Sequence, residues 1–306
     1  MTIAICMVVF GPSLRIFGFQ LIPELDFVNG MLCMVFYEIK AYGITVGYHR
    51  YFTHKSFEAD DGTAICLGIA GGMGAQGGIK RWAGNHRRHH WKSDTDEDIS
   101  SPWYSDNIVF GLCFSHLGWV WTERQIDDPN LVRDLAKNPI VKFLDKYAWF
   151  WPILGFILPA IIAGLITWSF KGAWGGFLWG GVMSTAAEHQ FTFTINSICH
   201  VFGSRPFDTG DMSGNVPILS GTTKGENYHN NHHEFEESAC HGLLEDQYDP
   251  SWELIKKLAD HGHVWNIRIP SREKILKRLK PGSPPPKVIV IKPEWIRKPK
   301  NAKKAA

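Results

Sequence analysis

The sequence predicts an all-α integral membrane protein, in which four transmembrane helices carry a cytosolic helical cap around a histidine-rich site for two metal ions. Residues 148–170 contain no charged side chain, and residues 172–202 contain one, Glu188. A bilayer-spanning helix needs about 20 predominantly apolar residues, and both stretches reach that length. In addition, eight of the fourteen histidines fall in three short groups, and His200 stands alone as a ninth candidate. These observations together predict the fold class.

The four expected spans cover about residues 1–22, 27–48, 148–170 and 173–200. Residues 49–146 and 201–280 then lie on the same side of the membrane, because two crossings separate them. Of the 32 Lys and Arg residues, 29 fall in 49–146 or 201–306. This asymmetry is typical of cytoplasmic segments. We therefore expect a multi-pass protein with its metal site on the cytoplasmic side.

Residues 62–79 are also uncharged, but the stretch is short for a span and rich in glycine. We expect a buried or interfacial helix here. The pattern Gly72-x-Gly74-x-x-Gly77 matches a dinucleotide-binding fingerprint. No strand pattern precedes it, so close packing of glycines is the better interpretation.

Residues 1–280 are expected to form one domain, and residues 281–306 an exposed and mobile basic tail rich in Pro and Lys. The six cysteines are scattered without a Cys-x-x-Cys pair, which argues against a zinc ribbon or a disulfide framework. The formal net charge is only +2, and we expect no nucleic-acid partner.

Two histidine boxes indicate metal binding. Residues 86–90 read HRRHH and residues 229–233 read HNNHH, so each box places imidazoles at i, i+3 and i+4. These positions share one face of a helix, and we expect all three rings of a box to point at one metal-sized volume. His49 and His54 are five residues apart, about 140° around an α-helix, so they converge only if the helix ends between them.

The candidate ligands number nine, which exceeds the needs of one ion and predicts a dinuclear centre. They are His49, His54, His86, His89, His90, His200, His229, His232 and His233.

Carboxylates are expected to support this centre rather than dominate it. Soluble di-iron bundles use two Glu-x-x-His motifs, whereas this chain has one, Glu226-x-x-His229. Glu226 is therefore expected to orient an imidazole, and Asp94, Asp98 and Asp211 are candidates for the same role. A hydrolytic zinc site needs about three protein ligands, which makes most of these histidines superfluous. Two irons that activate O₂ fit the set better.

At this point the sequence carries a family resemblance. The boxes occur with Asn196-Ser-x-x-His200 and with the stretches GITVGYHRYFTHKSF, RRHHWKSDTDED and NSICHVFGSRPFD. From about residue 27 to about residue 279 the chain resembles the membrane fatty-acyl desaturases, closest to the bacterial type of Δ9 acyl-CoA desaturase. The resemblance implies a mushroom-like fold, two Fe²⁺ ions held by the nine histidines, and Asn196 as a ligand through a metal-bound water.

The resemblance also implies the reaction. It is the O₂-dependent introduction of a cis double bond, at Δ9, into a saturated acyl chain carried on CoA or lipid, with reduction of O₂ to water. Electrons must come from a separate donor of the cytochrome b5, ferredoxin or rubredoxin type, because the chain has no His-Pro-Gly-Gly signature and no flavin site. The lipid bilayer is the remaining partner.

Two further groups of residues are expected to act around the substrate. The expected tunnel walls are Tyr37, Trp82, Phe191 and Phe193, and the expected steering residues for a donor or for substrate phosphates are Arg81, Arg87, Arg88 and Lys92.

Two alternatives stay open. A di-iron membrane hydroxylase of alkanes or lipids shares the hydrogen-abstraction step, and a non-catalytic membrane metal-binding protein shares the ligands. The second would be expected to place ionisable residues along the spans, whereas here the histidines lie at their cytosolic ends. An acyl-carrier-protein substrate also stays open.

Overall fold

A computed structural model describes residues 15–16, 19–20, 23–122 and 128–298, and these residues are mostly helical. The α-helices are α1 Phe27–Tyr42, α2 Asp61–Met73, α3 Ile79–Lys92, α4 Ile108–His116, α5 Arg133–Lys137, α6 Pro139–Lys146, α7 Phe150–Thr167, α8 Phe170–Gly175, α9 Ser184–Ser197, α10 Ser220–Thr223, α11 His229–Glu234, α12 Pro250–Asp260 and α13 Arg272–Arg278.

Two long helical runs contain π-helical segments. The first continues from α1 through the π-helix Gly43–Thr53. The second joins α8 to α9 through the π-helix Gly176–Met183 and ends in the 3₁₀ turn Ile198–His200. Each run therefore delivers a histidine at its C-terminal end.

Two pairs of short antiparallel strands complete the described structure. Strand β1, Arg15–Ile16, pairs with β2, Phe19–Gln20. Strand β3, Glu58–Ala59, pairs with β4, Val264–Trp265. The expected helical span over residues 1–22 is therefore wrong where the structure describes that stretch, and its other residues lie outside the described part. Pro12 and Gly18 disfavour a continuous helix there.

One described helix, α7, is long and apolar enough to cross a membrane by length and composition. Its side chains Ile153, Ile157, Ile161 and Leu165 are exposed at four-residue intervals, and residues four apart share one helix face. The runs from 27 to 53 and from 170 to 200 coincide with two other expected spans. Their passage through a bilayer stays a prediction.

The glycine-rich stretch forms α2 and the loop after it, and its glycines serve close packing. A Cβ on Gly72 would lie 2.7 Å from Cβ of Trp151, and a Cβ on Gly155 would lie 2.8 Å from the carbonyl oxygen of Met73. Each of the two helices therefore places a glycine against a larger residue of the other helix, which lets α2 and α7 approach closely.

The C-terminal segment packs against the cap instead of forming the expected exposed tail. The Lys287 N–H donates to the Leu243 carbonyl at 3.0 Å. Trp295 is 2% exposed and its ring lies edge-on to Trp252 at 5.9 Å. The prediction of a free tail is wrong at these anchors, where Ile289, Ile291 and Trp295 pack as apolar residues within the Pro- and Lys-rich composition. Most other residues from 281 to 298 are exposed, as expected. Residues 299–306 lie outside the described part.

Candidate metal centre

Helix α3, which carries the second histidine box, is anchored at its start by another helix. Its N-cap residue, Gly78, has no capping side chain. Asp145 of α6 instead accepts hydrogen bonds from the N–H groups of Ile79 (2.7 Å) and Lys80 (3.3 Å). A carboxylate at a helix N-terminus satisfies otherwise unpaired N–H groups and complements the helix dipole. The position of the box is thus tied to α6.

The nine predicted histidines converge into two groups, and within each group the candidate ligand atoms all lie within 4.8 Å of one another. Cluster A consists of His49, His54, His86, His90 and His232, and cluster B consists of His89, His200, His229 and His233. Neighbouring Nε2 atoms are 2.9–3.0 Å apart, as for His232 with His90 and His229 with His200.

Each box divides its histidines between the two clusters. On α3 the i and i+4 residues, His86 and His90, belong to cluster A, and the i+3 residue, His89, belongs to cluster B. On α11 the assignment is reversed: only the i+3 residue, His232, joins cluster A. The expectation that a box points at one volume is wrong, because positions i+3 and i+4 differ by about 100° around the helix.

A π-helical turn brings His49 and His54 together. The His54 N–H donates to the His49 carbonyl at 3.1 Å, an i to i+5 hydrogen bond. Such a turn contains more residues than an α-helical turn, so two residues five apart face nearly the same direction. Their ring centroids are 4.8 Å apart. In an α-helix the same spacing would set the two side chains about 140° apart.

Four of the nine candidate imidazoles have a carboxylate within 2.9 Å of Nδ1, and the carboxylates are the four named from the sequence. The distances are 2.6 Å for His49 with Glu226, 2.9 Å for His89 with Asp98, 2.8 Å for His200 with Asp94 and 2.6 Å for His233 with Asp211. A carboxylate accepts the Nδ1 proton and leaves Nε2 as a free lone pair, which is the ligating form of histidine.

The hydrogen bonds within the clusters leave Nε2 lone pairs unsatisfied, so these residues fit metal ions. Nε2 of His229 lies 3.0 Å from Nε2 of both His200 and His233. Both partners present lone pairs, because each donates its Nδ1 proton to an aspartate, and one proton on His229 satisfies only one of them. Nε2 of His54 and of His89 is buried without a hydrogen-bond partner among the described residues. Two nitrogens each about 2.1 Å from one ion, at right angles, lie about 3.0 Å apart.

The electrostatics of the site favour neutral imidazoles. Burial, together with neighbouring histidines, lowers the pKa of His54, His86, His90, His229 and His232 well below the usual range. Neutral imidazole is the form that binds metal.

Two acid–base pairs differ from this pattern. Burial works against the charged form of His89, but the carboxylates of Asp98, Asp94 and Asp211 together outweigh it and raise the pKa of His89. Burial also opposes the charged form of Asp94, yet His200 lowers the pKa of Asp94 to about 2. The aspartates therefore stay ionised as hydrogen-bond acceptors.

Sequence reasoning missed two residues beside cluster A. His241, which is not among the nine candidate ligands, has its Nδ1 3.3 Å from Glu226, and its ring centroid lies 4.4 Å from that of His232. Arg50 is fully buried and pairs with Glu226 and Asp249, both at 3.0 Å. A charged residue directly after a candidate ligand was the available signal for Arg50.

Two cavities meet at the histidines. Cavity 1, with an empty volume of ≈ 530 Å³, follows α1 and α9 from Tyr37 and Glu188 up to His49. Cavity 2 is wider, with ≈ 1440 Å³, and includes Trp119 and Trp121. Four residues line both cavities and define what we call the junction: Trp82, His86, Thr192 and Asn196.

All four predicted tunnel residues line these cavities. Tyr37, Trp82 and Phe191 line cavity 1, and Phe193 lines cavity 2. The Tyr37 hydroxyl donates to the carbonyl of Thr222 across cavity 1.

The sequence did not reveal a polar chain behind the junction. Trp82 Nε1 donates to Gln76 at 2.8 Å, Gln76 Nε2 donates to Glu188 at 2.8 Å, and the Thr192 hydroxyl donates to Glu188 at 2.7 Å. The chain fixes both Trp82 and Thr192 in place.

Most of the predicted steering residues are engaged in ion pairs. Arg87 pairs with Asp134 at 2.7 Å, and Arg88 and Lys92 both pair with Glu97. Arg81 lines cavity 2. A steering role for these four residues stays a prediction.

Comparison with known proteins identifies the family. Residues 27–265 match the model of the fatty acid desaturase family. The chain belongs to this family. It is therefore an acyl desaturase, an oxidoreductase, and the resemblance inferred from the histidine boxes is confirmed.

Individual relatives cover most of the desaturase chain. It is 36% identical to the hex-5-enoyl-[acyl-carrier protein] acetylenase of Moorena producens (strain JHB), over 76% of this chain and 74% of the relative. It is 33% identical to the sn-1 stearoyl-lipid 9-desaturase of Anabaena variabilis, over 80% and 85%. It is 32% identical to the probable acyl-CoA desaturase of Schizosaccharomyces pombe (strain 972 / ATCC 24843), over 86% and 53%.

Proposed function

We propose that this desaturase introduces a cis double bond at carbon 9 of a saturated acyl chain carried on a membrane lipid, with two iron ions held by clusters A and B. The observation that carries this proposal is the convergence of nine imidazoles beside the junction of two cavities. The Anabaena relative is a stearoyl-lipid 9-desaturase, and a 35% identical relative from Arabidopsis thaliana is a Delta-9 acyl-lipid desaturase.

The iron ions, when bound, supply the O₂ activation that removes two hydrogens from unactivated methylenes. The protein contributes the ligands, the four carboxylates that hold imidazole rings by Nδ1, and an enclosed site. Asn196 lines both cavities beside His86 and is positioned to hold a water next to the ions. Exclusion of bulk solvent protects a reactive oxidant from side reactions.

The acyl chain is proposed to enter through cavity 2, pass the junction and end in cavity 1. At the junction the chain meets Trp82 and Thr192, whose polar ends are held by Gln76 and Glu188. Rigid walls at the reacting carbons fix which methylene lies next to the metals, which is the positioning task of such a site. Tyr37, at the far end from His49, closes cavity 1.

The carrier of the acyl chain is inferred from the walls of cavity 2. Arg81 is the one Lys or Arg among the residues that line cavity 2 in the described part of the chain. The phosphates of CoA are normally bound by several cationic side chains. A lipid carrier therefore fits this cavity better, and CoA is the second candidate.

We further propose that α1, α7 and the run from α8 to α9 cross the bilayer, with the histidines at the cytoplasmic surface. The exposed apolar stripe on α7 supports lipid contact. His49 and His200 lie at the C-terminal ends of two of these runs, which agrees with both histidines lying at the same face of the membrane. A separate small redox protein would dock on that face and supply electrons.

The test is lipid analysis of a desaturase-deficient host that expresses the chain. Gas chromatography with double-bond localisation should find cis monoenes with the bond at carbon 9 for the wild type and for His261→Ala, whose ring is exposed. His89→Ala should give none. Monoenes in the His89→Ala strain would contradict the metal assignment, and hydroxylated products without monoenes would support the hydroxylase alternative.

A second experiment distinguishes an acyl chain carried on lipid from one carried on CoA. Membranes from the expressing host are labelled with stearate in their lipids and supplied with reductant and O₂. Labelled monoene without added acyl-CoA identifies the lipid as substrate. Product that appears only after labelled stearoyl-CoA is added identifies CoA instead.

A further inference from the structure

Clusters A and B differ in what holds the outer nitrogen of each imidazole. In cluster B, three of the four rings have an aspartate at Nδ1, at 2.6–2.9 Å. In cluster A, His49 is the one ring with a carboxylate of the described residues at hydrogen-bond distance. The nearest carboxylate to Nδ1 of His90 is Glu236, at 3.6 Å and 54% exposed, and Nδ1 of His232 has no partner in the described part of the chain.

The charges around the two clusters differ as well. The side chains of Asp98, Asp94 and Asp211 beside cluster B are 0%, 5% and 8% exposed. Apart from histidine, the partners of these carboxylates are neutral hydroxyl or backbone N–H groups, such as the Ser101 hydroxyl on Asp94 and the Ser213 N–H on Asp211. Among the described residues, no guanidinium or ammonium group donates to the carboxylate oxygens of these aspartates, although Arg205 donates to the backbone carbonyl of Asp211.

Cluster A has one buried carboxylate, and a cation already partly neutralises it. Glu226 accepts from Arg50 at 3.0 Å and 3.2 Å. Arg50 is fully buried, and its remaining charge interaction is with Asp249. Arg50, Glu226 and Asp249 together carry one net negative charge behind cluster A, whereas three aspartates offer three negative charges to cluster B in a medium of low polarity.

We propose that cluster B binds its metal ion more tightly than cluster A, so that the centre fills B first and loses the ion of A first. The inference rests on the proposed di-metal site. A carboxylate on the outer nitrogen makes an imidazole a better ligand and fixes its orientation, and its loss typically costs 10–100-fold in metal affinity. Three such partners should raise the metal affinity of B more than one partner raises that of A. The fifth imidazole of A offsets this difference only in part.

Metal titration of the full-length protein tests the order of binding. The protein is purified in detergent, stripped of metal and titrated with Co²⁺ in competition with a chelator, and binding is followed by the visible spectrum. Two equivalents should bind in two steps whose dissociation constants differ at least about tenfold. His54→Ala, in cluster A, should retain only the tight binding step. His200→Ala, in cluster B, should retain only the weak binding step.

The outer carboxylates are tested with isosteric amides. Asp94→Asn should weaken the tight step by about 10–100-fold and leave the weak step unchanged. Asp94 has a positive φ of 58°, and asparagine tolerates that conformation as aspartate does. Asp211→Asn is the second variant, at a different ligand, in case one change impairs folding. Asp260→Asn, which removes a charge paired with Lys292 far from any ligand, should change neither step.

The proposal is overturned if the ion left in His200→Ala binds as tightly as the ion left in His54→Ala, or if Asp94→Asn and Asp211→Asn weaken the looser step. Because the readout is metal binding, it is independent of turnover. A protein that binds two ions in this order but forms no monoene refutes the proposed function alone. Monoene formation with the reverse order refutes this inference alone.

Discussion

Replacement of Arg50 by methionine provides a quantitative test of the network behind cluster A. The guanidinium is fully buried and donates to Glu226, to both oxygens of Asp249 and to the Ala239 carbonyl, at 2.8–3.2 Å. Arg50→Met fills a similar volume but leaves two carboxylates without their cation. Removal of one partner from a buried ion pair costs about 3–5 kcal/mol.

Thermal unfolding in detergent, by circular dichroism or intrinsic fluorescence, measures this cost. For a chain of 306 residues the loss corresponds to a Tm lowered by about 5–8 °C. Arg268→Met is the matched control, because the Arg268–Glu237 pair is 43% and 65% exposed. An exposed pair contributes about 0–1 kcal/mol, so this variant should melt within a few degrees of the wild type.

A second substitution separates charge from packing. Asp249 also caps α12 through the Trp252 N–H at 3.0 Å, and asparagine is an equally good N-cap. Arg50→Met with Asp249→Asn should therefore recover part of the lost stability. If Arg50→Met lowers Tm no more than Arg268→Met, or if the double variant is less stable than Arg50→Met, the account of this network is wrong.

Three further expectations concern the anchoring of α3, the far end of cavity 1 and an ion pair of the cap. Asp145→Ala removes the acceptor for the Ile79 N–H and should cost about 0.5–2 kcal/mol, the usual value of a helix cap, by chemical unfolding. Tyr37→Ala should shift the products towards longer acyl chains in gas chromatography, and unchanged chain lengths would exclude Tyr37 as the end of the tunnel. Partial burial opposes the charge of Asp134, but hydrogen bonds from Arg87 and Lys55 hold its pKa well below the usual value. A depressed carboxyl pKa contributes stability above the unfolded pKa of about 3.9 and loses it as the pH falls. Metal-free Asp134→Asn should thus lose less stability than metal-free wild type from about pH 5 to about pH 3, and parallel curves would contradict this.

Much of the metal centre was predictable from local sequence. Imidazoles at i, i+3 and i+4 on a helix identify α3 and α11 as ligand-bearing helices without knowledge of their surroundings. The extents of α7 and of the run from 170 to 200 also follow from local composition, because a long uncharged stretch is stable as a helix in an apolar environment. The acidic residues near the boxes were correctly singled out as neighbours of the imidazoles.

The rest depended on contacts between distant residues. Arg50 pairs with Glu226, which is 176 positions away along the chain, and with Asp249, which is 199 positions away. No spacing rule contains that information. The π-helical turn that unites His49 with His54 depends on packing against α2, since an isolated helix prefers α-helical hydrogen bonds. Composition also misjudged the C-terminal segment, where a few apolar side chains in a polar stretch suffice for docking when the cap offers a matching surface.

The division of each box between the two clusters has a structural consequence. Helix α3 gives two ligands to cluster A and one to cluster B, and α11 gives one to A and two to B. Neither helix could shift without moving imidazoles of both clusters, so ions bound as proposed would be coupled through the two helices. A protein with one box per ion would lack that coupling. The Asp145 cap, which sets where α3 begins, would therefore influence both clusters at once.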